Sequence, residues 1–201
     1  MTVSNNRKNF MQDVDFRKSM EYTKEIKLLV HSKFNEAKIK LLSEFNNHPI
    51  TKEIEAGVDS LNTSGTLGGV GNLFSFIGFE ANSKPTMPIR KAFEAIKLTS
   101  IMIKKDGTSQ SYVVYPSPDD IFQITPLPWA EGRSWAKAME TGLSGLGYYL
   151  NKSSNNSRSG KGIQLDSSHQ IRAGKFKNIQ YISKLIRDFE VEVNKFRFLS
   201  I

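Results

Sequence analysis

The sequence predicts an α+β protein in which a long N-terminal helix and a C-terminal helix pack on a small antiparallel sheet with a long hairpin. Three observations carry this. Apolar residues recur at helical spacing near both ends of the 201-residue chain. Two β-rich segment pairs with turn residues between them lie in the interior. No alternating strand–helix–strand pattern of the kind that builds a parallel sheet occurs.

The first helix rests on Phe16, Met20, Thr23, Ile26, Val30, Phe34, Ala37, Leu41 and Phe45, whose steps of three and four average about 3.6 residues per turn. Asp15 is its expected N-cap, and His48-Pro49 stops it, because a residue before proline is pushed out of helical space. Residues 1–14 lack periodicity and are expected to form an arm, leaving 15–201 as one domain. Thr51 to Gly57 reads as a short helical turn with a threonine cap and a glycine stop. Pro88 to Lys97 reads as another, with Ile89, Phe93 and Ile96 on one side.

Leu98–Lys104 and Ser109–Tyr115 form a hairpin pattern around Lys105-Asp106-Gly107-Thr108. Ser117-Pro118-Asp119-Asp120 starts a helix, with a serine cap, proline at the first position and acids in the first turn. Pro126-Leu-Pro-Trp129 breaks it with a rigid turn, and Gly132 to Glu140 gives a helix carrying Trp135, Ala138 and Met139. Gly145–Leu150 and Gly162–Leu165 make a second strand pair, joined by the polar tip 151–161. The chain closes with an amphipathic helix over Ile179, Ile182, Ile186, Phe189, Val193 and Phe196.

Composition removes several function classes. No run approaches the ~20 apolar residues of a membrane span. The first residues have no apolar core of a signal peptide, and cysteine is absent, so a reducing cytoplasm is the expected site of synthesis and thiolate chemistry is excluded. The three histidines, His31, His48 and His169, have no metal-ligand spacing. Asp119 and Asp120 are explained by the helix dipole, and no Gly-x-Ser-x-Gly nucleophile elbow occurs. Neither catalytic, metal nor cofactor-binding residues assemble, so the chain is not expected to be an enzyme or to hold a cofactor.

The most informative stretch is Asn62–Phe79, where Gly65, Gly68, Gly69, Gly71 and Gly78 are interleaved with Leu67, Val70, Leu73, Phe74, Phe76, Ile77 and Phe79. Glycine permits positive φ and close backbone approach, whereas the aromatics need a surface to bury against. The segment is therefore a shaped apolar loop that docks on its own core, on a neighbouring subunit or around a phosphate. A dinucleotide fingerprint fails for want of a third glycine, a preceding strand and a following helix. A phosphate loop fails because Gly160-Lys161-Gly162 and Gly174-Lys175-Phe176 lack the hydroxyl that would hold magnesium. Gly65, Leu67, Gly68, Gly69, Val70, Gly71, Leu73, Phe74, Phe76 and Phe79 remain as candidate subunit-docking residues.

Net charge is +8 and is concentrated: between Lys152 and Arg187 eight basic residues face one acid, Asp166. Lys152, Arg158, Lys161, Arg172, Lys175 and Lys177 are candidate electrostatic contacts to nucleic acid or an acidic protein, although a basic solvated face explains them as well. Trp129 to Trp135, with Arg133 between, and Tyr148-Tyr149 could stack single-stranded nucleic acid or anchor the core.

Several strings taken together, Ser64–Phe79, Thr125-Pro-Leu-Pro-Trp-Ala-Glu-Gly-Arg-Ser-Trp135, Gly142–Leu150 and Gly174-Lys-Phe-Lys-Asn178, resemble virion structural proteins of tailed bacteriophages. The nearest class is the neck or tail-completion proteins of the head–tail connector region. The resemblance implies a non-enzymatic homo-oligomer, a ring of six or twelve copies in the virion neck, assembled in the host cytoplasm. Such a ring would touch head, connector or tail proteins and surround the DNA path, with no membrane partner. The N-terminal arm and the 151–161 tip would reach neighbours. The rival expectation is a basic nucleic-acid-binding protein without catalytic activity.

Overall fold

The computed structural model describes residues 20–68, 71–104, 107–128, 130–142, 149–151, 163–165 and 176–199. Its elements, in order, are α1 (Met20–Asn47), α2 (Pro49–Glu55), a 3₁₀ turn (Gly57–Asp59), α3 (Leu73–Ile77) and α4 (Met87–Glu94). There follow β1 (Lys97–Ile103), β2 (Ser109–Val114), α5 (Pro118–Gln123), β3 (Pro126–Leu127), β4 (Ala130–Ser134) and α6 (Trp135–Thr141). Last come β5 (Tyr149–Asn151), β6 (Ile163–Leu165), α7 (Ile182–Arg197) and β7 (Phe198–Leu199). The architecture is α+β, with a three-stranded antiparallel sheet in the order β1-β2-β7 and the two-stranded pairs β3-β4 and β5-β6.

Where the sequence suggested one domain, the chain groups into two compact units. The first holds residues up to Lys40, Ile96–Tyr115 and Asp188 onward; the second holds Leu41–Ala95 and Pro116–Arg187. The expected arm, the expected Asp15 cap of the first helix and Phe16 lie outside the described residues, as does the tip from 152 to 161.

In the first unit, α1 buries Tyr22, Ile26, Val30, Phe34 and Ala37, spaced by four and three, so these residues form one face. Met20, expected in this stripe, is instead almost fully exposed. Tyr22 Oη donates to the Gly107 carbonyl at 3.1 Å and Lys38 Nζ to the Ile96 carbonyl at 3.0 Å, which ties the helix to both ends of the β1–β2 hairpin. From α7, Phe189, Val193 and Phe196 complete the core. Tyr115 stands edge-on to Phe189 at 5.5 Å and donates its hydroxyl to Glu190 Oε1; burial and that carboxylate raise the phenol's pKa. β7 adds a strand that sequence reasoning missed: Phe198 and Leu199 pair with Gln110 and Ser109 of β2.

The second unit is organised by a run of rings. Phe93 meets Phe45 edge-on at 5.4 Å, Phe45 stacks on Tyr181, Tyr181 lies against Trp135, and Trp135 meets Phe79 at 5.7 Å. Offset and edge-on geometries of this kind add about 0.5–1.5 kcal/mol per pair beyond area burial. His48-Pro49 ends α1 as expected, but the cap of α2 is His48, whose Nδ1 accepts from the Ile50 amide, rather than Thr51. Thr51 is buried within α2 and shares a 2.7 Å hydrogen bond with the Tyr181 hydroxyl, whose deep burial pushes its pKa well above the usual phenol value.

Ser117 caps α5 in a full capping box with Asp120, as its residue types require. The expected turn at Pro126–Trp129 belongs to the β3–β4 pair, and the helix expected from Gly132 begins at Trp135 because residues 130–134 are strand. The N-terminus of α7 is held by Glu140, whose carboxylate accepts from the Tyr181 and Ser183 amides and the Ser183 hydroxyl.

Candidate functional site

The glycine-aromatic segment does cradle an anion, and that anion is the protein's own. Glu53, on α2, is fully buried. Its Oε2 accepts from the Ser64 amide at 2.8 Å, its Oε1 accepts from the Leu73 amide at 2.7 Å, and Asn62 Nδ2 reaches both oxygens. Asn62 Oδ1 in turn accepts from the Leu67 amide at 3.0 Å. Amide hydrogens converging on a carboxylate neutralise part of its desolvation cost, as they would for phosphate. The space a foreign phosphate would occupy is therefore filled.

A helix does follow the glycines Gly69 and Gly71, where none was expected: α3 begins at Leu73, inside the segment. Asn72 caps α3 through its side chain, which accepts from the Ser75 amide at 2.8 Å, and its amide nitrogen donates to the Val58 carbonyl. Gly78 closes α3 in the left-handed conformation (φ 82°), the requirement that selects glycine there. Leu67, Leu73, Phe74, Phe76 and Phe79 are all buried. Phe74 packs on Phe79 at 5.4 Å and Phe76 stacks on Phe176 at 6.2 Å. Of the three partners considered for this segment, the chain's own core accounts for these side chains, so they offer no docking face. Gly65, Gly68 and Gly71 adopt positive φ, and a Cβ at Gly65 or Gly68 would meet open space. Their role is backbone conformation. Gly69 and Val70 lie outside the described residues.

Of the candidate electrostatic contacts, Lys152, Arg158, Lys161, Arg172 and Lys175 lie outside the described residues. Lys177 is exposed, and its amide donates to the Thr66 carbonyl at 2.9 Å. Trp135 is buried among rings, which favours core anchoring over base stacking, and Trp129 lies outside the description. Arg133 and Lys137 line an open cleft of about 500 Å³ in which the Lys137 ammonium sits over the Phe122 ring at 5.7 Å. His31 is exposed and His48 serves as a cap. Among the described residues no cluster of His, Asp or Glu could hold a metal ion, and no helix is long and apolar enough to cross a membrane.

What the sequence reading missed lies in the first unit. Among the described residues, eleven large apolar side chains are exposed, and nine of them, from Met20 to Phe198, belong to this unit. Strand β2 is patterned inside out, whereas β1 turns Leu98, Ile101 and Ile103 to the inner face beside Val113, Ser111 and Ser109. Ser109 and Ser111 face inward and are buried, while Met102 (48% exposed), Tyr112 (38%), Val114 (61%) and Phe198 (59%) face outward. Strand pairing puts Met102, Gln110 and Phe198 in one cross-strand row, with Ser100–Tyr112 and Lys97–Val114 in the next two. The inward serines donate to the carbonyls of Leu199 and Phe196. Alternation was visible in the sequence, but periodicity does not say which of two mixed faces is covered.

A groove of about 390 Å³ lies between α1 and the end of α7, with Leu29, Ala37, Phe196 and Leu199 among its lining residues. At its rim Glu192 accepts from Lys195 at 2.6 Å and Lys40 at 2.7 Å, which hold its carboxyl down at about 2. The groove's cations are thus tied to carboxylates: Lys33 pairs with Glu36, and Lys40 and Lys195 share Glu192.

The chain matches no family model, and no curated protein or solved structure matches it.

Proposed function

We propose that this chain is a structural subunit of a phage virion that forms an oligomeric ring in the neck, at the head–tail junction, and acts by burying surface against its neighbours. The observation that carries this reading is the outward sheet face of the first unit, where Met102, Tyr112, Val114 and Phe198 are exposed to solvent. The largest exposed apolar patch on a folded chain, about 300–600 Å², is often a functional surface, and larger ones mark interaction sites. The phage neck enters through the resemblance of the four sequence strings to neck and tail-completion proteins. A non-catalytic role also fits the principal buried carboxylate, since Glu53 is engaged by a loop of its own chain.

The test is the assembly state of the purified chain, by light scattering and negative-stain electron microscopy. Discrete species of six or twelve copies, with closed rings, are expected. A monomer at high concentration that also fails to associate with head, connector or tail proteins overturns the reading.

A further inference from the structure

The outer side of α1 carries a second exposed patch. Glu21, Glu25, Leu28, Ser32, Asn35 and Ile39 lie opposite the buried Tyr22–Ala37 row and are all exposed. Leu28 (60% exposed) and Ile39 (68%) are eleven residues apart, about three helical turns, so they share one line along the helix. Glu21 and Glu25 give this stripe a net negative charge, with Lys24 flanking Leu28 on the other side. The outward face of the β1-β2-β7 sheet has the opposite sign: β1, β2 and β7 contain no acid, Lys97 stands beside Val114, and exposed Lys104 follows β1. Arg197 lies over the Phe198 ring at 5.7 Å.

We infer that the outer stripe of α1 from one copy of this chain lies across the outward face of the β1-β2-β7 sheet of the next copy. This rests on the assembly reading above and names its contact. Size, shape and charge agree. Leu28 and Ile39 are about 16 Å apart along the helix axis. The outward positions Gln110 to Val114 span about 13 Å along β2. A helix laid on an open sheet face is a common way to cover one. The four half-exposed sheet side chains offer on the order of 400 Å² of apolar surface, given about 150–250 Å² for an aromatic side chain. A stable interface buries about 800 Å² per partner, somewhat over half of it apolar, so the sheet face supplies an area of the required order.

Glu21 and Glu25 on the stripe complement Lys97 and Lys104 at the sheet, whereas two sheet faces brought together would oppose like charges. In a single chain both patches are exposed, so neither covers the other. A contact between two different patches is heterologous, and it propagates around a ring when the rotation closes.

Two variants and their mixture test this. Ile39→Glu damages the stripe and Met102→Glu damages the sheet face; both positions are exposed in the single chain. Sedimentation velocity should show self-association of each variant weakened by at least about tenfold, the loss of one well-packed anchor. An equimolar mixture should form a 1:1 dimer that grows no further, because each variant keeps the patch the other lacks. If wild-type chain is monomeric, the assembly reading and this contact both fall. If wild type assembles and the variants assemble equally well, this contact falls and the ring reading stands. Variants that stay apart when mixed also overturn it. Circular dichroism verifies folding, and Leu28→Gln with Val114→Gln replaces any variant that does not fold.

Discussion

At the scale of single residues, Glu53 shows how one buried charge can shape a long loop. Each of its oxygens accepts from a backbone amide, Leu73 on one and Ser64 on the other. Glu53→Gln replaces one acceptor by a donor, and either orientation of the amide sets its NH₂ against a backbone N–H. Hydrogen bonds to a charged group are worth about 1.5–3 kcal/mol, and a buried donor left unmatched costs about as much. Urea denaturation should therefore give a loss of about 2–3 kcal/mol; a change under about 0.5 kcal/mol would remove Glu53 from its organising role. His48 makes a pH-dependent contribution. Burial is the main cause of a pKa below its usual 6.5, the charge of Lys184 adds to it, and a bond to the Gln180 carbonyl opposes it. Between the folded value and 6.5 the unfolded chain binds more protons, so stability rises with pH there. The contribution is complete above 6.5 and is lost as pH falls through the folded value, where protonation also removes the Nδ1 acceptor that caps Ile50. Asparagine is a good N-cap without a titrating ring. His48→Asn should thus flatten the stability–pH curve below pH 6.5, and an unchanged slope in thermal melts would show that another group titrates there.

At the scale of elements, what was legible followed from local chemistry, and what was missed depended on distant parts of the chain. The capping box Ser117–Asp120, the β1–β2 hairpin and the stop at His48-Pro49 are written in adjacent residues and formed as expected. Helix α3 was not legible, because Asn72 looks like a loop residue until the Leu73 amide is seen bonded to Glu53, twenty positions upstream. β7 escaped for the same reason: two residues after a helix carry no strand signal, and their partners are Ser109 and Gln110. The glycine-aromatic segment was recognisable as a shaped apolar loop, yet burial decided among its possible partners. The sheet face was the hardest to read. Ser109, Ser111 and Val113 alternate with Gln110, Tyr112 and Val114, and either set is a plausible interior until α1 and α7 are placed. In β2 the larger and more apolar set is the outer one, although β1 turns Leu98, Ile101 and Ile103 inward, and the exposed outer residues are why an interface reading attaches to this sheet and not to the loop.

At the scale of the whole molecule, two kinds of association must respond differently to salt. The chain carries a net charge of +8, with its basic sector between Lys152 and Arg187. Contact with DNA through such a sector releases condensed counterions, so log affinity falls with log salt at a slope of about −0.9 per phosphate neutralised. The proposed self-association through Met102, Tyr112, Val114, Phe198, Leu28 and Ile39 would bury apolar area, which added salt does not weaken. Exposed pairs between copies, such as Glu25 with Lys97, contribute at most about 1 kcal/mol and are screened beyond about 10 Å at 0.1 M salt. Raising salt from 50 to 500 mM should therefore weaken DNA binding by two orders of magnitude or more if several phosphates are engaged, while the oligomer's dissociation constant moves by roughly tenfold or less. Reversing the charges of Lys152, Arg158 and Lys161 should flatten the DNA slope and leave the oligomer unchanged. The two quantities are measured on one preparation, by fluorescence anisotropy with a short duplex and by sedimentation. An oligomer that dissolves with salt as steeply as the DNA complex would mean that charge, not the apolar outer face of the sheet, holds the copies together. A DNA slope indifferent to the triple reversal would remove Lys152, Arg158 and Lys161 from the DNA contact.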